Sequence, residues 1–170
     1  MPLTNSLIVN QKLVFARIEI AAARKVDAAG KLDEAGSSQD NPIENKLHQH
    51  AHLDSAIYQL ASAFEYFLLE QSEESPEVDR EFLKRGLLKV SPWLIDLLAA
   101  RTNPEFVALQ FASENPVIQD ESSSHNLIAS VTLANECEAE AKKPPIDLLA
   151  DWSQQLQAIV DQYRASLFEE

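Results

Sequence analysis

The segment Asn41-Pro42-Ile43-Glu44 marks a helix start more firmly than any other stretch of the chain. Asn41 is a good N-cap, because its side chain can accept a bond from an amide of the first turn. Pro42 falls at the first helical position, where its missing N–H costs nothing and its fixed φ suits the helix. Glu44, at the third position, faces the positive end of the helix dipole. Beyond this start, Leu53, Ile57, Leu60, Ala61, Phe64 and Leu68 recur at three-four spacing. The pattern predicts a helix over 42–71. Only three of the 170 residues are glycine, and Ala, Leu, Glu and Gln are abundant. Such a composition favours helix over sheet.

Three further helices follow from the same reasoning. The first, 5–30, is capped by Thr4 or Ser6 and stopped by Gly30. Its polar stripe of Ser6, Asn10, Arg17, Arg24 and Lys31 is narrow. Leu13, Phe15, Ile18, Ile20, Ala22 and Val26 cover much of the rest, so this helix is expected to pack on more than one side. Ser75-Pro76-Glu77 repeats the start chemistry for a helix over 76–101, with the stripe Leu83, Leu87, Val90, Leu94, Leu97. The stripe keeps its phase across Ser91-Pro92, but Pro92 lacks a donor and crowds the preceding turn. One axis with a kink or brief break is expected there. The last helix, 146–168, carries the cleanest stripe: Leu149, Trp152, Leu156, Val160, Tyr163, Leu167. Residues 102–145 read as short helices and loop. The fold class expected is all-α: an antiparallel four-helix bundle with a kinked third helix and a long irregular connection before the last helix. The whole chain, 1–170, is read as one domain.

Charge narrows the partners. At −13 formal charge and pI ≈ 4.6, the chain repels phosphate backbones, so no nucleic acid and no anionic membrane surface is expected as a partner. No run approaches the roughly 18–20 apolar residues that span a bilayer. The N-terminus lacks a basic start and an uninterrupted apolar segment, so no signal peptide is expected. Cys137 is the only cysteine, which excludes an intrachain disulfide and a cysteine-based zinc site. A cytoplasmic location is the expectation.

Three of the four histidines stand together in His48-Gln49-His50-Ala51-His52. Successive residues of a helix turn by about 100°, so they cannot share a face. With Ile57 taken as the centre of the apolar arc, His50 falls about 20° and Asp54 about 60° from it. His48 falls opposite, flanked by Glu44 and His52. Two features result. Glu44, His48 and His52 form an outward row at spacings of four, which can chelate a divalent metal or simply be a solvated face. His50 and Asp54 form an inward polar pair, either an acid/base site or a satisfied pair at the end of the core. Gln11, Lys12 and Glu19 on the first helix are the groups that could meet His50. No HExxH, no ExxH, no P-loop, no GxGxxG and no GxSxG occurs.

Asn10–Ala16 (NQKLVFA), Ala51–Ala61 (AHLDSAIYQLA), Ser91–Leu98 (SPWLIDLL) and Leu149–Leu167 (LADWSQQLQAIVDQYRASL) resemble a small bacterial family of helical proteins of unknown function. The resemblance covers most of the chain. It implies a small soluble helical protein and supplies no activity, cofactor or catalytic residue. It also draws attention to the polar trio Asn10-Gln11-Lys12.

The function expected is non-enzymatic: a helical bundle that binds an unidentified protein partner or pairs as a homodimer. Surplus apolar surface on the first helix motivates it. Trp93 beside the kink could border a groove, and Phe64, Trp152 and Tyr163 could line a small-ligand pocket. No cofactor is expected. The alternative is a metal-dependent or acid/base enzyme using the histidines of the second helix.

Overall fold

The computed structural model describes residues 4–33, 42–75, 77, 79–102 and 144–166. Among the described residues there are five helices and no strand: α1 (Asn5–Asp33), α2 (Pro42–Glu74), α3 (Arg80–Val90), α4 (Trp93–Thr102) and α5 (Pro145–Ser166). The expected content of 102–145 lies outside them beyond Thr102 and before Pro144, as do His125 and Cys137.

The all-α reading holds, with local corrections. α2 begins at Pro42 as its start signal requires. α1 does not stop at Gly30 but runs through it to Asp33, because a mid-helix glycine costs only about 1 kcal/mol relative to alanine. α3 starts at Arg80, later than Ser75-Pro76-Glu77 suggested. Its cap is Asp79, whose carboxylate accepts from the Glu81 amide at 2.9 Å.

At Ser91-Pro92 the helix breaks into two. Ser91 leaves the helical region (φ −132°, ψ 76°), as a residue before proline tends to do. The turn closes through Ser91 N–H to Leu87 O at 2.9 Å and Leu94 N–H to Ser91 O at 3.0 Å. The break also corrects the stripe: Leu87, Leu94 and Leu97 are buried, but Val90 is 76% exposed. A stripe keeps its phase only along an unbroken helix.

α2 is the hub, in contact with each of the other four helices. From Leu60 to Gln71 no residue of it is exposed, which is the condition of a helix covered all round. α1 runs antiparallel to α2, since Glu19 meets His52 while Asp27 meets Gln49. α5 runs antiparallel to α1, since Arg17 meets Gln157 while Arg24 meets Asp147. α1 buries Val9, Leu13, Ala16, Ile20 and Ala23, a strict three-four row. On α2, Ala56 and Ala63 are fully buried beside Leu53, Leu60 and Phe67. Small side chains let helix backbones approach closely.

Those alanines move the centre of α2's buried arc. Judged by large apolar residues, the centre was Ile57. With Ala56, Ala63 and Phe67 included, it lies about 50° round the helix. Every polar position predicted from the first centre shifts accordingly.

Candidate functional site

The histidines show the shift most clearly. His52, expected on the outward row, sits at the α1–α2 seam. Its Nδ1 lies 2.6 Å from Glu19 Oε2, with both side chains about two-thirds buried. Glu19, one of three groups that could meet His50, meets His52. One turn along the seam, Gln49 Nε2 donates to Asp27 Oδ1 at 3.4 Å. His48 stays outside, 4.0 Å from Glu44, with both exposed. The outward row of three is therefore not assembled: its third member has turned to a partner on α1. His50 is half-buried and Asp54 is exposed, so Asp54 lies outside the core. Among the described residues, no group of three or more histidine, cysteine and acidic side chains could hold a metal. A carboxylate on Nδ1 orients an imidazole, as in acid/base sites. Catalysis would need further convergent groups around the ring.

The most buried charge of the described residues lies elsewhere. Glu70, with only 3% of its side chain exposed, takes two bonds from Arg164 of α5: Nε to Oε1 at 2.8 Å and Nη2 to Oε2 at 2.9 Å. The same guanidinium donates Nη1 to Asn10 Oδ1 at 2.8 Å and Nη2 to the Ser6 carbonyl at 3.3 Å. One arginine thus ties the N-terminal end of α1 and the C-terminal ends of α2 and α5. The bonded carboxylate raises the Arg164 pKa above its ordinary value, against the lowering effect of burial. Bidentate geometry of this kind suits arginine and no other cation.

The polar trio on α1 divides its work. Asn10 serves Arg164. Lys12 Nζ lies 5.6 Å from the Tyr58 ring centroid, and Arg101 of α4 lies 5.4 Å from the same ring. Arg101 also pairs with Glu65 at 2.8 Å. Gln11 is exposed.

The aromatic side chains proposed as pocket lining are packing. Trp93 stacks on Trp152 with centroids 6.1 Å apart, joining α4 to α5. Tyr163 meets Phe67 edge-on at 5.6 Å. Phe64 and Trp152 are buried, and Trp93 and Tyr163 lie half-buried against them.

Of the exposed large apolar residues, which also include Ile43, Leu47, Tyr58, Phe82, Val90 and Ile95, four stand in a row on the outer side of α1. Leu7, Val14, Phe15 and Ile18 are all large and exposed, Ile18 by 56%. Helical phase puts them within about 60° of one line, directly opposite the buried row. The face continues through Ala21, Ala22 and Lys25. Sequence placed Phe15 and Ile18 among residues packed on several sides. Among the described residues, nothing packs on this one. No family model, characterised protein or solved structure matches the chain.

Proposed function

We propose that this is a non-enzymatic protein of the cytoplasm that works by protein–protein association through the outer face of α1. The single observation that carries the proposal is the contiguous row Leu7, Val14, Phe15, Ile18, exposed on an otherwise well-packed helix. Scattered exposed apolar residues are ordinary, whereas a contiguous row marks an interaction surface. The polar sites support the same reading: Arg164–Glu70 and His52–Glu19 both join helices to one another. We also infer that the frame is an antiparallel four-helix bundle in which α3 and α4 together take the third position. The likeness of NQKLVFA and the last helix to bacterial helical proteins of unknown function is part of this proposal and adds architecture only.

The test is site-specific photo-cross-linking in cells. A photoreactive residue at Ile18 should capture a discrete adduct, and one at Phe82, exposed on α3, should not. Equal adducts at both positions, or none at either from folded protein, would remove the reading.

A further inference from the structure

We infer that the occupant of the outer face of α1 is a second copy of the same chain, paired as an antiparallel α1–α1 dimer about a two-fold axis near Val14 and Phe15. The inference rests on the association reading above and names its partner.

Charge is the first argument. The chain carries −13 overall, so most faces would bring carboxylate against carboxylate when two copies meet. α1 departs from that, with five basic residues (Lys12, Arg17, Arg24, Lys25, Lys31) against three acidic ones (Glu19, Asp27, Asp33), and of the described helices only α3, with four against one, is more basic. Between Leu7 and Lys25 its only carboxylate is Glu19, which is turned inward to His52. The flanking cations are also directed away from the apolar row: Arg17 to Gln157 and Arg24 to Asp147 on α5, and Lys12 to Tyr58 on α2. Two such faces can meet with neither sign of charge trapped between them. A strongly acidic partner helix would instead need free cations beside the row, and of the residues on it only Lys25 is charged.

Shape is the second argument. A two-fold contact must be self-complementary, each residue meeting the one at the mirrored position. About an axis at Val14 and Phe15, Leu7 falls opposite Ala22, Ile18 opposite Gln11, and Val14 opposite Phe15. Leu7 and Ile18 thus face small or flexible side chains, as ridges into grooves require, while Val14 and Phe15 meet at the axis. An axis on Val14 itself keeps this, with Leu7 opposite Ala21 and Ile18 opposite Asn10, whereas an axis at Ala16 brings Leu7 onto Lys25 and Ile18 onto Val14.

Sedimentation equilibrium of the full chain, loaded from about 1 µM to about 1 mM, tests the inference. The wild type should follow a monomer–dimer equilibrium. Ile18→Lys should weaken it by at least about tenfold, since a two-fold axis counts the change twice. Circular dichroism checks that the variant keeps its helix content. Orientation is read by disulfide trapping in a Cys137→Ser background. Val14→Cys should oxidise rapidly to a covalent dimer, and Val90→Cys, exposed on α3, should not. A wild type that stays monomeric throughout overturns the proposal. So does a dimer indifferent to Ile18→Lys, or one trapped equally well through Val90→Cys. A monomer whose Ile18 position still captures a different protein in cells overturns the dimer while leaving the association reading intact.

Discussion

Removing Arg164 should destabilise the protein more than the loss of any other single polar side chain described. Both Glu70 oxygens are taken by that guanidinium, and the carboxylate is 3% exposed. Arg164→Met keeps most of the side-chain length but leaves an acid buried without a counter-ion. Breaking such a pair from one side costs about 3–5 kcal/mol. Arg164 is itself 20% exposed, so water can reach the vacated space and the lower end, about 3 kcal/mol, is expected. Against a typical domain stability of about 5–15 kcal/mol this is a large fraction. For a chain of this length it corresponds to roughly 6–12 °C in Tm. Urea unfolding, with midpoint and slope fitted separately, measures it. The pairing logic makes a second demand. Arg164→Met combined with Glu70→Leu should cost less than Arg164→Met alone, because the stranded charge is gone. The raised Arg164 pKa sets the pH dependence. A raised basic group keeps its full stabilising effect below its unfolded pKa and loses it only as pH climbs through the folded value. Both lie above the working range, so the deficit of the variant should be the same at about pH 7 and about pH 10 as far as Arg164 is concerned. A loss under about 1 kcal/mol for Arg164→Met, or a double variant worse than the single, would refute the reasoning.

Other substitutions probe the remaining features. Gly86 lies inside α3 with nothing within 4 Å of an added Cβ, so Gly86→Ala should stabilise by about 0.5–1 kcal/mol and raise Tm by a few degrees; a fall in Tm contradicts this. The Ser153 hydroxyl is buried on α5 and has no hydrogen-bond partner among the described residues. Ser153→Ala should therefore be neutral or stabilising by up to about 1–2 kcal/mol in urea unfolding, and a clear loss would show that the hydroxyl is satisfied. Glu19→Gln should cost about 0.5–1.5 kcal/mol by losing the charged acceptor of His52, and an unchanged urea midpoint would show that the seam does not depend on it. Because His52 is engaged with Glu19, zinc titrated by calorimetry should bind wild type and His52→Ala alike; tighter binding to wild type would restore the row Glu44, His48, His52 as a ligand set.

Helix starts were legible because their chemistry is local. Pro42 and the stripe from Leu149 to Val160 depend on a few neighbouring residues, and both appear as read. The start of α3 was local too, but two signals competed within five residues and Asp79 prevailed by capping the Glu81 amide. The phase of α2 was harder. Hydrophobic size locates the middle of an apolar arc when every neighbour packs through large side chains. α1 instead packs where Ala56 and Ala63 lie, and alanine carries little weight in such a reading. That error moved His52 from solvent to the seam and Asp54 from the inward face to solvent. The Arg164–Glu70 pair had no local signal, because its partners are 94 residues apart. One trace was present: Glu70 stands three residues after Phe67 and seven after Ala63, on the face those residues bury. An acid on a buried face demands a cation somewhere in the fold.

The two sides of α1 make the case for its outer face. The side turned to α2 and α5 includes Ala16 and Ala23, while the side turned to solvent holds Leu7, Val14, Phe15 and Ile18. If the helix served only to close the core, the outward positions could all be polar at a cost within about 0.5 kcal/mol each. Solubility would improve. Instead, four large apolar residues lie in one line on a helix with more basic than acidic residues in an acidic chain. Leaving them in water forfeits about 25 cal/mol for every Å² exposed and invites unspecific association. Each is roughly half exposed, so covering all four on both copies recovers on the order of 6–12 kcal/mol. Association itself costs about 4–15 kcal/mol. The two are of one size, which places the α1–α1 contact among reversible dimers whose population follows protein concentration. A permanent dimer would need more buried surface than this row offers, and the concentration range of the sedimentation experiment is where the two kinds separate.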